Sequence, residues 1–253
     1  MPPTDAHTDS GPGPAPGPGG GAEDTLDLRL PDDFLALFHD NDHALLPESA
    51  RARPWSTTGG ATAKDLLGDL AEWGPAATPA GAFRLVPVAL ERDLALIVRW
   101  MNDPAVAAFW ELAGPDSVTA THLRAQLEGD GRSVPCLGVL DDTPMSYFEI
   151  YRADLDPLAR HYPARPHDTG VHLLIGGVAD RGRGVGSTIL RAVSGLVLDN
   201  LPLCTRVIAE PDLRNTPSVS AFLSSGFRLS EEIDLPDKRA ALMVRDRALR
   251  NLL

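Results

Sequence analysis

Two spacings of apolar residues alternate along most of this chain. From Phe83 to Arg245, short apolar runs with a period of two give way to longer stretches spaced by three and four, as strands and helices require. F-R-L-V-P-V, beginning at Phe83, reads as a first strand. Helices are expected over 90–101, 104–111 and 117–128, then strands over 134–140 and 145–151 separated by the turn D-D-T-P. A long loop over 152–169 leads to the apolar run 171–178, which opens with the strand-like V-H-L-L-I. A helix over 185–200, a strand over 205–209 and a helix over 215–225 follow, and strands near 227–235 and 240–245 close the pattern. This order predicts an α/β (α+β) domain over 83–253, a mixed central sheet flanked by helices.

Before Phe83 the pattern fades. Residues 1–24 are dense in Pro and Gly and nearly free of large apolar groups, so they cannot offset the entropy of ordering and are expected to be a disordered tail. Residues 25–82 are expected to form an N-terminal extension packed on the main domain. Within it L-D-L-R-L (26–30) alternates like a strand, D-D-F-L-A-L-F (32–38) begins like a helix, and 63–73 fits a short helix. No role is legible for this extension.

Composition narrows the partners. With 43% hydrophobic residues among 253, the chain can bury a proper core. A formal charge of -12 and the absence of any Lys/Arg-rich block weigh against nucleic acid and anionic membrane. An acidic surface suits a cationic small molecule, although solubility alone accounts for most acidic proteins. Two cysteines, Cys136 and Cys204, lie in apolar segments and are too few for a disulfide framework or a zinc site. No stretch is long and apolar enough to span a membrane, and the N-terminus has no secretory pattern, so a soluble cytoplasmic protein is expected.

The chemistry starts at R-G-R-G-V-G, Arg181 to Gly186. A strand delivers the chain to a glycine loop that opens directly into a helix. Glycines let backbone N–H groups approach a phosphate closely, and the helix N-terminus adds its partial positive charge. A plain strand–helix turn that needs glycine is the alternative.

Together with the strand V-I-A-E and the run R-N-T-P-S-V-S-A-F-L-S-S-G-F, this loop resembles the GNAT superfamily of acyl-CoA-dependent N-acyltransferases, over roughly 83–246. The resemblance implies a GNAT fold, with two parallel strands splayed around an acyl-CoA cleft. It implies that Arg181, Gly182, Gly184, Val185, Gly186 and Ser187 hold the pyrophosphate of acetyl-CoA or another acyl-CoA, with Asn215 and Phe222 on the following helix completing the cofactor site. It implies direct acyl transfer, which needs positioning, an oxyanion partner and a proton acceptor but no metal. Many GNAT enzymes place a tyrosine seven residues after the asparagine to protonate the leaving thiolate, whereas this chain has Phe222.

F-W-E (109–111), Y-F-E-I-Y (147–151), H-D-T-G-V-H-L-L (167–174), E-P-D-L-R-N (210–215) and L-P-D-K (235–238) are similar to the hydroxamate-siderophore acyltransferases of the aerobactin, alcaligin and mycobactin types. That resemblance implies a catalytic pair, His172 and Glu210, and possible partnership with siderophore-assembly enzymes. A neutral histidine accepts a proton near neutral pH and a carboxylate orients it. A strand histidine satisfied by a carbonyl, and an acidic cap at Glu210 or Asp212, are the plainer readings. On the acceptor side, strand alternation puts Tyr147, Glu149 and Tyr151 on one face, either lining a pocket in which Glu149 draws in a cationic amine or packing against another surface. The resemblance adds Trp110 and Glu111 to that pocket. Asp168 is expected to orient the strand or contact the substrate amine.

Three functions follow. The first is acetylation of an N-hydroxylated diamine or amino acid (hydroxycadaverine, hydroxylysine or hydroxyornithine). The second is an aminoglycoside-type N-acetyltransferase. The third is a GNAT fold kept as a non-catalytic acyl-CoA-binding module.

Overall fold

The computed structural model describes residues 66–250. The expected tail over 1–24, the strand-like 26–30 and the helix-like 32–38 lie outside the described residues. Eight strands among the described residues form one sheet in the order β1 (Ala76–Thr78), β2 (Gly81–Pro87), β3 (Ser133–Leu140), β4 (Thr143–Arg152), β5 (Thr169–Ile175), β6 (Arg206–Ala209), β8 (Arg239–Asp246), β7 (Arg228–Asp234). All neighbours are antiparallel except β5 and β6. Among the described residues five helices accompany it: α1 (Leu90–Met101), α2 (Pro104–Trp110), α3 (Asp116–Leu127), α4 (Val185–Asn200) and α5 (Thr216–Ser224).

Strand alternation assigns the two faces. Phe83, Cys136, Phe148, Ile150, Val171 and Val207 pack with Ile189, Leu190, Val193 and Val197 of α4. Leu137, Val139, Tyr147 and Leu174 pack on the other face with Ile97, Trp100 and Met101 of α1 and Leu123 of α3. A third cluster joins Tyr151 and Ile208 to Ile233, Leu242 and Val244.

The sheet begins upstream of Phe83, because β1 pairs with β2, and Leu67, Leu70 and Trp73 are buried in the α4-side core. In the described part of 63–73 only a 3-10 turn, Leu70–Glu72, forms, capped by the Asp69 carboxylate. The expected D-D-T-P turn is shorter than its motif. Asp141 and Asp142, at φ 43° and 62°, make a two-residue hairpin of the kind that matches strand twist, and Thr143 and Pro144 already belong to β4. The helix expected over 104–111 stops at Trp110, and Glu111 turns the chain at φ 52°.

The parallel pair fixes the site. β5 and β6 pair only at Thr169↔Val207 and Gly170↔Ile208. Beyond Gly170 the strands part, so Val171 onward loses its partner on that side while keeping β4 on the other. Gly170 itself permits a close approach, since a Cβ there would lie 2.0 Å from the Tyr151 ring.

Candidate active site

The gap between β5 and β6 opens into a cavity of about 440 Å³. Val171, His172 and Leu173 line one wall, and Ala209, Glu210 and Asp212 another. Trp110 and Glu111 close a third side, with Asn215, Ser218 and Phe222 of the α5 region and Lys238 completing the lining.

His172 stands at its centre. On antiparallel β4 and β5, His172 is directly opposite Glu149, so their side chains share one face. Its Nδ1 lies 2.9 Å from Glu149 Oε2 and its Nε2 2.5 Å from Glu210 Oε1. Glu210 comes from the residue just past β6. The segment after it is pinned to β8 where Ala241 N donates to Pro211 O (2.9 Å) and Leu213 N to Arg239 O (3.0 Å). That crossing brings Lys238 Nζ to 3.8 Å from Glu210 Oε1. The Trp110 ring meets the imidazole edge-on at 6.1 Å, and the Tyr151 ring lies 4.7 Å away.

Both carboxylates are buried and fully engaged. Glu149 Oε1 accepts from Tyr147 Oη (2.9 Å) and Gln126 Nε2 (2.6 Å), and lies 2.6 Å from His122 Nε2. Glu210 Oε2 accepts from Tyr151 Oη at 2.7 Å. Burial alone would raise both acids, but the histidines hold Glu149 well below the usual carboxylate range. His172, Lys238 and Tyr151 likewise bring Glu210 down to about 2 against its burial. For His172, burial favours the neutral ring, yet the Glu210 and Glu149 carboxylates outweigh it and raise the pKa to about 10. Its exposed third faces the cavity. The two carboxylates therefore favour the protonated, imidazolium form of the ring between them. That direction runs against the expectation of a neutral, proton-accepting His172: Glu210 is the largest cause that favours the charged ring, and Glu149, the second carboxylate, adds to it.

The other expected acceptor residues divide. Trp110 and Glu111 do line the cavity. Tyr147 and Tyr151 are buried and outside its lining; each donates a hydroxyl to one of the two carboxylates instead. Glu149 lines the cavity, but its oxygens are taken by protein donors, so its charge faces His172 and His122 rather than an incoming amine. Asp168 is not in the cavity. It is wholly buried and ion-paired with Arg206, and it accepts from Tyr162 Oη (3.1 Å) and Arg165 N (2.8 Å). It braces the start of β5 against β6 and touches no substrate space.

On the donor side, Gly182 and Gly184 sit at φ 72° and 77°, and Gly184 caps α4. The backbone N–H groups of residues 182–187 find no protein acceptor among the described residues, which leaves a row of donors at a helix N-terminus suited to a pyrophosphate. Val185, Gly186 and Ser187 contribute through those amides; the Ser187 hydroxyl itself is spent on Gly184 O (2.9 Å). Arg181 does not fit the expectation. Its guanidinium donates to Ile175 O (3.0 Å), Gly176 O (2.9 Å) and Asp103 Oδ1 (2.9 Å), and its amide to Val178 O, so it locks the end of β5 to the cap of α2. Asn215 Oδ1 caps α5 by accepting from Ser218 N (3.2 Å), and Phe222 packs edge-on against Phe227.

His122, Gln126, Ser218 and Lys238 carry no role in the sequence reading. His122 and Gln126 are one helical turn apart on α3, a spacing too common to mark a site.

Residues 89–235 match the acetyltransferase (GNAT) domain family. The chain belongs to it. Among curated relatives, the N(6)-hydroxylysine O-acetyltransferase of Escherichia coli is 37% identical over 155 residues, 61% of this chain and 49% of that protein. The lysine N-acyltransferase MbtK of Mycolicibacterium paratuberculosis is 36% identical over 154 residues, 61% of this chain and 69% of that protein. The chain thus spans about half the length of the first. An uncharacterized protein (bh2621) from Bacillus halodurans superposes with a TM-score of 0.66 at 29% identity, covering 71% of this chain and 94% of that one. The aminoglycoside acetyltransferase AAC(6')-Ib bound to coenzyme A shares the fold, with a TM-score of 0.58 at 21% identity, covering 67% and 96%. Among the described residues no helix is long and apolar enough to cross a membrane.

Proposed function

We propose that this GNAT chain transfers an acyl group, most simply acetyl, from acyl-CoA to the nitrogen of an N-hydroxylated amine in hydroxamate siderophore assembly. Candidates are N6-hydroxylysine, N5-hydroxyornithine and N-hydroxycadaverine. The observation that carries the reading is the His172 ring held between two carboxylates, 2.9 Å from Glu149 and 2.5 Å from Glu210. Such a centre contains no strong base. It cannot deprotonate an alkylammonium, whose pKa is about 10.4. It suits a hydroxylamine, which is largely neutral already and sheds its proton only as the N–C bond forms. The relative named for hydroxylysine acetylation supports an N-hydroxylated acceptor, while the one named for lysine acylation supports only an amino-acid amine.

Each residue then has a task. Amides 182–187 anchor the pyrophosphate and the gap between β5 and β6 admits the acyl arm. Glu210 accepts the proton released by the attacking nitrogen, while His172 donates its Nε2–H to that carboxylate and fixes its orientation. Glu149, held by Tyr147 and Gln126, fixes the ring through Nδ1. Phe222 has no proton for the leaving thiolate; the Ser218 hydroxyl, one turn earlier on the same wall, can donate a hydrogen bond to the thiolate, which takes its proton from solvent.

Thiol release from acetyl-CoA, with mass detection of product, tests this against cadaverine, lysine, ornithine, their N-hydroxy forms and kanamycin. Turnover confined to N-hydroxy amines is expected. Turnover only on kanamycin would move the protein to the resistance class, and acetyl-CoA binding with silence across the panel and with longer acyl donors would favour the non-catalytic module.

A further inference from the structure

Acylation of an N-hydroxylated amine fixes the reacting end of the acceptor only, and the far end has to be read from what remains of the pocket; the inference rests on that acylation reading. Most charged groups of the lining are consumed by one another. Glu149, His172 and Glu210 hold each other, His122 sits on Glu149, and Asp212 is taken by Arg214 through a 2.6 Å pair. Two are left.

Glu111 is an exposed cavity-lining carboxylate with no hydrogen-bond or ion-pair partner within 4 Å among the described residues. It ends α2 at φ 52°, a left-handed conformation that costs a non-glycine residue about 1–2 kcal/mol. Glycine or asparagine would serve a helix end there without that cost, so ending the helix does not by itself account for a glutamate at this position. Lys238 is the second. A tight turn, Leu235 N donating to Lys238 O at 2.8 Å, sets it at the start of β8, with its side chain 25% exposed. At 3.8 Å from Glu210 Oε1 its ammonium is near enough for attraction and too far for a hydrogen bond. None of its three N–H donors has an acceptor among the described residues.

An anion with no direct partner and a cation whose N–H donors are all free, though it lies beside Glu210, line a single pocket and complement a zwitterion. A diamine would meet Glu111 well but would leave Lys238 facing a second cation. We propose that Lys238 holds the carboxylate and Glu111 the ammonium of the acceptor's head, so that the acceptor is an N-hydroxylated α-amino acid and not an N-hydroxylated diamine.

The test compares kcat/KM for N6-hydroxylysine and N-hydroxycadaverine, with acetyl-CoA as donor and the full chain as enzyme. Wild type is expected to favour N6-hydroxylysine. Lys238→Met is expected to lower the hydroxylysine-to-hydroxycadaverine ratio at least tenfold, mainly through KM for hydroxylysine, and Lys238→Arg to recover most of it. If Lys238 serves only as a counter-ion to Glu210, both acceptors lose equally and the ratio stays put, which overturns the assignment. Glu111→Gln is expected to raise KM for both acceptors, and unchanged KM values overturn its part. A wild-type preference for N-hydroxycadaverine would sink the head-group assignment while leaving the acylation reading intact. Turnover of kanamycin alone would sink both.

Discussion

β5 has a buried charge cluster at each side of its splay point, built from the same ingredients and put to different use. At its start, where it still pairs with β6, Asp168 meets Arg206, Tyr162 and the Arg165 amide, buried and outside the lining of the cavity. Beyond the splay, His172 meets Glu149 and Glu210, again with tyrosine hydroxyls in support, but one side opens to about 440 Å³ of space. Closed packing makes the first cluster a brace. An open wall makes the second a place where a proton can be moved. A buried ion pair is therefore a poor marker of function by itself, and its access to a cavity decides.

That contrast can be broken from either side. The largest effect is expected from His172→Ala, which should lower kcat about 10²–10⁴-fold with acetyl-CoA affinity nearly unchanged; near-normal turnover in steady-state assays would remove His172 from the chemistry. Asp168→Asn should do the reverse. Stranding Arg206 in a buried site should cost about 3–5 kcal/mol of stability by urea unfolding, while the folded fraction keeps its kcat. Tyr151→Phe removes one charge-assisted hydrogen bond from Glu210 and is expected to cost about 1.5–3 kcal/mol, with a loss of kcat absent from a Tyr162→Phe control. Gly184→Val, forced to φ 77°, should cost about 1–2 kcal/mol and weaken acetyl-CoA binding in calorimetry.

Stability also depends on pH. His172 is raised from 6.5 to about 10, so its contribution is complete below pH 6.5 and is lost as pH rises toward 10. Glu210 is lowered from 4.5 to about 2, so its contribution is complete above pH 4.5 and is lost as pH falls toward 2. Unfolding midpoints of wild type minus His172→Ala should accordingly be widest between pH 4.5 and 6.5 and narrow on the alkaline side.

The donor half of the site was legible because backbone makes it. Gly182 and Gly184 are required by positive φ, and the motif that carries them is contiguous. The acceptor half is assembled from side chains on α2, α3, β4, β5 and the segments flanking β8, and no local pattern reports such a meeting. Alternation did separate Phe148 and Ile150 from Tyr147, Glu149 and Tyr151, but it could not tell a pocket wall from the layer behind it. Arg181 misled for a related reason. An arginine beside a phosphate loop looks like a ligand until the carbonyls left bare at the end of β5 claim it.

The central claim is that the centre works on a nucleophile that is already neutral. The direct measurement is the rate of N6-hydroxylysine and lysine acetylation between pH 6.5 and 9. Hydroxylysine turnover should be nearly flat. Lysine turnover should be lower by orders of magnitude at pH 7, where only about a thousandth or less of its side chain is free amine, and should climb about tenfold per pH unit. Comparable turnover of the two at pH 7 would mean that the site supplies a strong base after all, and would contradict the imidazolium between its two carboxylates.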